Sequence, residues 1–165
     1  MSFVSFPAAG AAAAAAAQPA AQQAAQALAT EADERDLRIA NERLLDAIAK
    51  GDYLTYSCLV SDDLTCFEPE GCGHLVKGIG FHKYYFDLAR NDAAPSQPTN
   101  TTMVEPHTRI IGDVAVVAYV RMVQRGHATT RVEETRIWRR LPGDSALSKW
   151  QLVHFHRSAP QNGYN

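Results

Sequence analysis

No lysine or arginine occurs before Arg35 in this chain, and that gap argues against reading residues 1–34 as a secretory signal or transit peptide. A secretory signal wants a basic residue ahead of a leucine-rich core, and a transit peptide wants scattered arginines. The segment from Ala8 to Ala29 has neither. It holds fifteen alanines in twenty-two residues, broken by Gly10, Pro19 and several glutamines. Alanine favours helix locally, but the run has no apolar stripe to bury, so residues 1–30 read as a low-complexity tail without lasting order. Apolar runs of membrane-spanning length are also missing. Cysteine is scarce and poorly spaced for metal: Cys58, Cys66 and Cys72 contain no Cys-x-x-Cys, and reduced thiols in a cytoplasmic protein are expected. A strong excess of charge is lacking too, and a net charge of −2 gives no reason to expect nucleic acid or membrane as partner.

What is present fits one domain, residues 31–160, long enough for a single core. "TEADERDLRIANERLLDAIAKGD" begins with acids at the positive end of a helix dipole and stops at Lys50-Gly51. Leu37, Leu44, Leu45 and Ile48 recur near helical spacing. "DYLTYSCLVSDD" reads as a short second helix or turn, and "LTCFEPE" (Leu64 to Glu70) as a short strand ended by Pro69. "GFHKYYFDLAR" sets Phe81, Tyr84, Tyr85 and Leu88 at i, i+3, i+4 and i+7, which predicts an amphipathic helix with these four on its apolar side.

After Pro95 the period changes to two. Thr101 to Ile111, Val114 to Arg125, Arg131 to Leu141 and Lys149 to Arg157 read as strands, punctuated by Gly112-Asp113, Gly126-His127 and "LPGDSALS". Strands this close in sequence pair as antiparallel neighbours, so the expected fold class is α+β, with helices on one face of a bent antiparallel sheet.

Three of these strands carry an interior arginine. Arg121 follows Val117 and Tyr119 on one face, Arg136 lies between Glu134 and Trp138, and Arg157 follows Val153 and Phe155 in "LVHFHRSAP". Strict alternation places Leu152, His154 and His156 on the opposite face. One such arginine usually lies with its stem over apolar neighbours and its head in water. Three on adjacent strands, each beside large aromatics, point instead to a cationic cluster in a mostly apolar pocket. Buried guanidiniums need anions: Glu134, Glu133, Glu68 and Glu70 are candidates within the chain, and a ligand carboxylate is the other solution. His154 and His156 supply two metal ligands, too few for a site, so neither metal nor cofactor is expected.

"GDYLTYSCLVSDDLTCFEPEGCGHLVKGIGFHKYYF", "AYVRMVQ", "EETRIWRR" and "WQLVHFHRS" closely resemble the association (hub) domain of calcium/calmodulin-dependent protein kinase II, from about Ala40 to Ser158. The resemblance implies an NTF2-like cone, a long N-terminal helix packed in a strongly curved antiparallel sheet. It implies assembly into stacked rings, a dodecamer or tetradecamer, with the chain itself and full-length kinase II subunits as partners. It also implies a pocket for small carboxylates formed by Arg121, Arg136, Arg157, His82 and Tyr56.

The chain departs from the kinase pattern in several places. Nothing resembles a Gly-rich loop or His-Arg-Asp, no basic calmodulin-target helix precedes the hub, and Leu88-Ala89-Arg90 stands where the vertebrate pattern has a tryptophan. The turn after Gln124 is also shorter than in the kinase. A free-standing, non-catalytic hub is therefore expected. The same cone hosts isomerases and cyclases, for which His82, Tyr85 and Tyr56 would be the candidate residues. Three arginines oppose the neutral carboxylic acid that such sites use.

Overall fold

The computed structural model describes residues 10–91, 99–143 and 148–162. Pro95 and the centre of the "LPGDSALS" turn lie outside them. By contacts the chain divides into two compact units, Met1–Arg35 and Asp36–Asn165. The first contains the alanine-rich stretch, which is helical from Gly10. Alanine's helix propensity gives the local reason, although residues 22–29 are exposed and add no burial. Among the described residues no helix is long and apolar enough to cross a membrane.

Helix α1 (Gly10–Lys50) ends as the sequence requires. Gly51 takes φ 67°, its N–H donates to Ile48 O, and Asp52 N–H donates to Ala47 O, which together form a Schellman cap. Asp52 then caps α2 (Tyr53–Leu59), its carboxylate accepting from Thr55 N–H at 3.0 Å and Thr55 Oγ1 at 2.6 Å. One Gly-Asp pair thus stops a helix and starts the next, and this turn delivers Tyr56 to the interior.

The strands are β1 (Val60–Phe67), β2 (Val76–Lys77), β3 (Thr99–Ile111), β4 (Val114–Arg125), β5 (Ala128–Arg140), β6 (Trp150–Arg157) and β7 (Gln161–Asn162); helix α3 (Gly80–Asn91) follows β2. The sheet order is β2-β1-β6-β5-β4-β3, with β7 pairing β5. The expected meander β3 to β6 is antiparallel throughout, and Gly112-Asp113 and Gly126-His127 are its tight turns. The sheet is nevertheless mixed, because β1 runs parallel to β6. The core joins Leu37, Ala40, Leu44, Leu45 and Ala47 of α1 to Leu59, Leu64, Val117, Trp138, Trp150, Leu152 and Phe155.

Two facial assignments differ from the sequence reading. In β6, Leu152 pairs Trp138 and His154 pairs Ile137, so Val153 is the extra residue of a β-bulge. The alternation reverses there, and Leu152 joins Phe155 and Arg157 on the inner side instead of sharing a face with the histidines. In α3, the buried side is centred on His82 and Phe86. Of the Phe81, Tyr84, Tyr85, Leu88 stripe, Tyr84 and Leu88 are turned outward, 63% and 53% exposed, while Phe81 is half-buried and Tyr85 also reaches the cavity. Helical spacing identifies a stripe but not which stripe the sheet covers.

Replacing Asp52 by alanine removes the α2 cap and is expected to lower unfolding free energy by about 1 kcal/mol. Urea denaturation of Asp52→Ala beside the parent chain checks this.

Candidate functional site

Period-two alternation and the ladder register place the inner-face side chains in rows. Tyr119, Glu134 and Arg157 are directly opposite one another across β4, β5 and β6, and Val117, Arg136 and Phe155 form the next row. Arg121 extends the β4 side. These rows form one wall of a cavity of about 350 Å³, closed by Leu44 and Ile48 of α1, Tyr56 of α2 and His82 of α3.

Glu134 is at the centre of the charges. It is 2% exposed, and its Oε2 accepts from Arg136 Nε at 3.1 Å, from Arg136 Nη2 at 2.8 Å and from the Tyr119 hydroxyl. Arg121 Nη1 stands 3.2 Å from the other oxygen, a contact that pairs the charges without an aligned hydrogen bond. Arg136 is completed by Asn41 of α1, whose Oδ1 accepts from Nη1 at 3.2 Å. The rings of Tyr119 and Phe155 flank the Arg136 guanidinium at 5.8 and 5.9 Å.

Burial alone would push Glu134 up, but Arg136, Arg121 and the Tyr119 hydroxyl outweigh it and hold the carboxyl below the usual range. Burial likewise works against charge on Arg136, yet Glu134 more than compensates and the net shift is upward. Arg121 is shifted the other way. Burial lowers it, Arg136 and Arg157 repel it, and Glu134 only partly offsets them. Its Nε is buried with no hydrogen-bond partner among the described residues.

Arg157 is inside the cavity. Its Nη2 donates to Glu68 Oε2 at 2.9 Å and also to Glu70. Glu68 Oε1 in turn meets His82 Nε2 at 2.9 Å. Burial raises Glu68, but the His82 and Arg157 hydrogen bonds bring it below its ordinary value. Tyr56 is packed against Phe86 and His82, with centroids 4.9 and 5.8 Å away, and burial pushes its hydroxyl pKa upward.

All five residues singled out in the sequence therefore line one cavity: Arg121, Arg136, Arg157, His82 and Tyr56. Three of the four candidate carboxylates meet the arginines. Glu133 does not; it is exposed and bonds Ser158. Sequence reasoning missed Asn41, a polar residue at a core-facing position of α1, and Arg125, at the exposed end of β4, which strand alternation places on the same face as Arg121. It also missed that Cys66 lies beside His82 and Glu68. Among the described residues the cavity is lined by Arg121, Arg125, Arg136 and Arg157 against Glu68, Glu70 and Glu134, one more arginine than glutamate.

Residues 33–161 match the family model described as the calcium/calmodulin dependent protein kinase II association domain. The chain belongs to this family. It is 42% identical over 138 residues to the alpha chain of calcium/calmodulin-dependent protein kinase type II of Drosophila melanogaster, covering 79% of this chain but only 24% of that protein. The association domain of C. elegans CaMKII superposes with a TM-score of 0.67 at 38% identity, covering 78% of this chain and 97% of that one. An NTF2-like protein of unknown function from Pseudomonas putida superposes with a TM-score of 0.62 at 20% identity over 79% and 88% of the two chains. That likeness establishes an NTF2-like α+β fold for the association domain. The matching family model is of an association domain and not of a kinase.

Arg136→Ala leaves the Glu134 carboxylate buried beside a poorly aligned Arg121, and should cost about 3–5 kcal/mol in chemical denaturation. Glu134 and Glu68 both have folded pKa values below the ordinary 4.5. Their contribution to stability is therefore complete above pH 4.5 and is lost as pH falls through the folded values. Melting temperature measured against pH should show this acid limb, and Glu134→Gln should flatten it.

Proposed function

We propose that this domain is a non-catalytic assembly module: copies associate into stacked rings, a dodecamer or tetradecamer, and the arginine-lined cavity takes a small monocarboxylate. Membership of the association-domain family is the observation that carries the self-association. The outward stripe of α3 supports it, since Tyr84, Tyr85 and Leu88 leave apolar area in water that contact with a second copy would remove. The same contacts would admit full-length kinase II subunits into mixed rings, with residues 1–30 as a spacer outside the domain. The three thiols are unpaired, in keeping with a cytoplasmic setting.

The charge arrangement supports the ligand. Arg136 is fully engaged and Arg157 holds two glutamates, whereas Arg121 has a buried Nε without a partner. A carboxylate entering the cavity would find its donor there, and one negative charge would balance the surplus arginine. The isomerase or cyclase alternative lacks such support. Glu134 is held ionised by its arginine partners and Glu68 by His82 and Arg157, which removes the neutral acid that those reactions use.

Light scattering on the intact chain should give a particle of many subunits, and Leu88→Asp should shift it to smaller species. A parent chain that stays monomeric or dimeric would overturn the assembly reading. Butyrate in the millimolar range should raise the melting temperature, approaching about 2.7 kcal/mol of stabilisation at a hundredfold excess over Kd. Arg121→Met should abolish that rise. No shift with butyrate or other short monocarboxylates would exclude the ligand.

A further inference from the structure

Beside the Arg157 ion pairs lies a cluster of three potential ligands, two of which, Glu68 and His82, also line the cavity. Cys66 Sγ, Glu68 Oε1 and His82 Nε2 all lie within 4.8 Å of one another, and each comes from a different local setting. Cys66 is an inward residue of β1, Glu68 follows the end of that strand, and His82 is on the buried side of α3. Cys66 Sγ is 3.6 Å from His82 Nε2 and 3.8 Å from Glu68 Oε1, and the nitrogen and oxygen are 2.9 Å apart. Tetrahedral zinc, with bonds of about 2.0–2.3 Å, sets its ligand atoms about 3.3–3.7 Å from each other. The two sulfur distances already lie close to that range, and the nitrogen and oxygen need to part by only a few tenths of an ångström.

A Cys–His catalytic pair is the competing reading, and the geometry is against it. One ring nitrogen, Nε2, faces both the thiol and the carboxylate, so no acid orients the imidazole from its far side; Nδ1 is buried without a hydrogen-bond partner. Burial, with Glu68 beside it, also pushes the Cys66 thiol up to about 12.

We propose that Cys66, His82 and Glu68 are three ligands of a site for a borderline-soft divalent cation, zinc in the first instance, whose fourth position opens to the cavity that Glu68 and His82 line. The donor set of thiolate, imidazole and carboxylate selects zinc over magnesium or calcium, which prefer oxygen alone. Local charge agrees. Thiolate, Glu68 and Glu70 against Arg157 leave two negative charges, which one divalent cation cancels. Arg157 grips the Glu68 oxygen that faces away from the cluster and fixes the carboxylate's orientation, as a supporting hydrogen bond does behind many metal ligands.

The test uses the full chain with Cys58→Ser and Cys72→Ser, which removes the two exposed thiols and leaves Cys66. Titration with Co²⁺ should produce a near-ultraviolet thiolate-to-metal charge-transfer band that saturates at one ion per chain and is displaced by Zn²⁺. Zn²⁺ should also raise the melting temperature by several degrees. Cys66→Ala should remove the band and the shift, and His82→Gln should weaken Co²⁺ binding at least tenfold. No band at saturating Co²⁺, or a band that survives in Cys66→Ala, overturns the site. Neither result depends on ring assembly or on butyrate, which are read separately by mass and by thermal shift.

Discussion

A carboxylate sealed from water among aromatic rings tolerates its charge only if guanidinium and hydroxyl groups surround it, and Glu134 has that environment from three directions. Arg136 grips it with two nitrogens, Tyr119 donates from the neighbouring strand, and Arg121 balances the remaining oxygen. Through Arg136 the arrangement extends to Asn41, so the same group of charges ties helix α1 to the middle of the sheet. An apolar substitute of equal volume would pack this space without such conditions. The ionic version specifies register: a slip of one residue between β4 and β5 would turn Glu134 away from both Tyr119 and Arg121 and leave Arg121 without its carboxylate.

A second set of charges occupies the other end of the cavity, where Arg157 joins Glu68 and Glu70, and Glu68 joins His82. The two sets differ in solvent contact. Glu134 and Arg136 are almost wholly enclosed, whereas Glu70 is 39% exposed on its side chain. Reorganisation on binding is therefore easiest near Glu70 and Arg157, while the Glu134 end acts as a fixed wall. Arg121 lies between, paired in charge but short of one hydrogen bond.

Much of this was legible in the sequence because strand alternation is strict. Val117, Tyr119 and Arg121, or Glu134, Arg136 and Trp138, fall on one face wherever the ladder is regular, and β4 with β5 is regular from end to end. The reading failed where one residue breaks the period. Val153 bulges out of β6 and moves Leu152 to the inner side, and nothing in "WQLVHFHRS" marks it. Helix α3 failed differently: its aromatic stripe was correctly spaced, but the sheet covers the His82 side. The parallel pairing of β1 and the meeting of Cys66 with His82 depend on tertiary topology that short-range patterns do not encode.

The parallel pairing of β1 with β6 also governs the order in which the molecule can form. Thr65 and His154 bond across a separation of 89 residues, as do Glu68 and Arg157. Helices α1 to α3 and the β3-β4-β5 meander can assemble from neighbours in the chain, but β1 has no central partner until the last long strand arrives. During synthesis, Glu68 therefore stays without its arginine until nearly the whole domain has left the ribosome. The cavity is completed last, and a chain that stops short of Arg157 would leave an open strand edge beside an unfinished core.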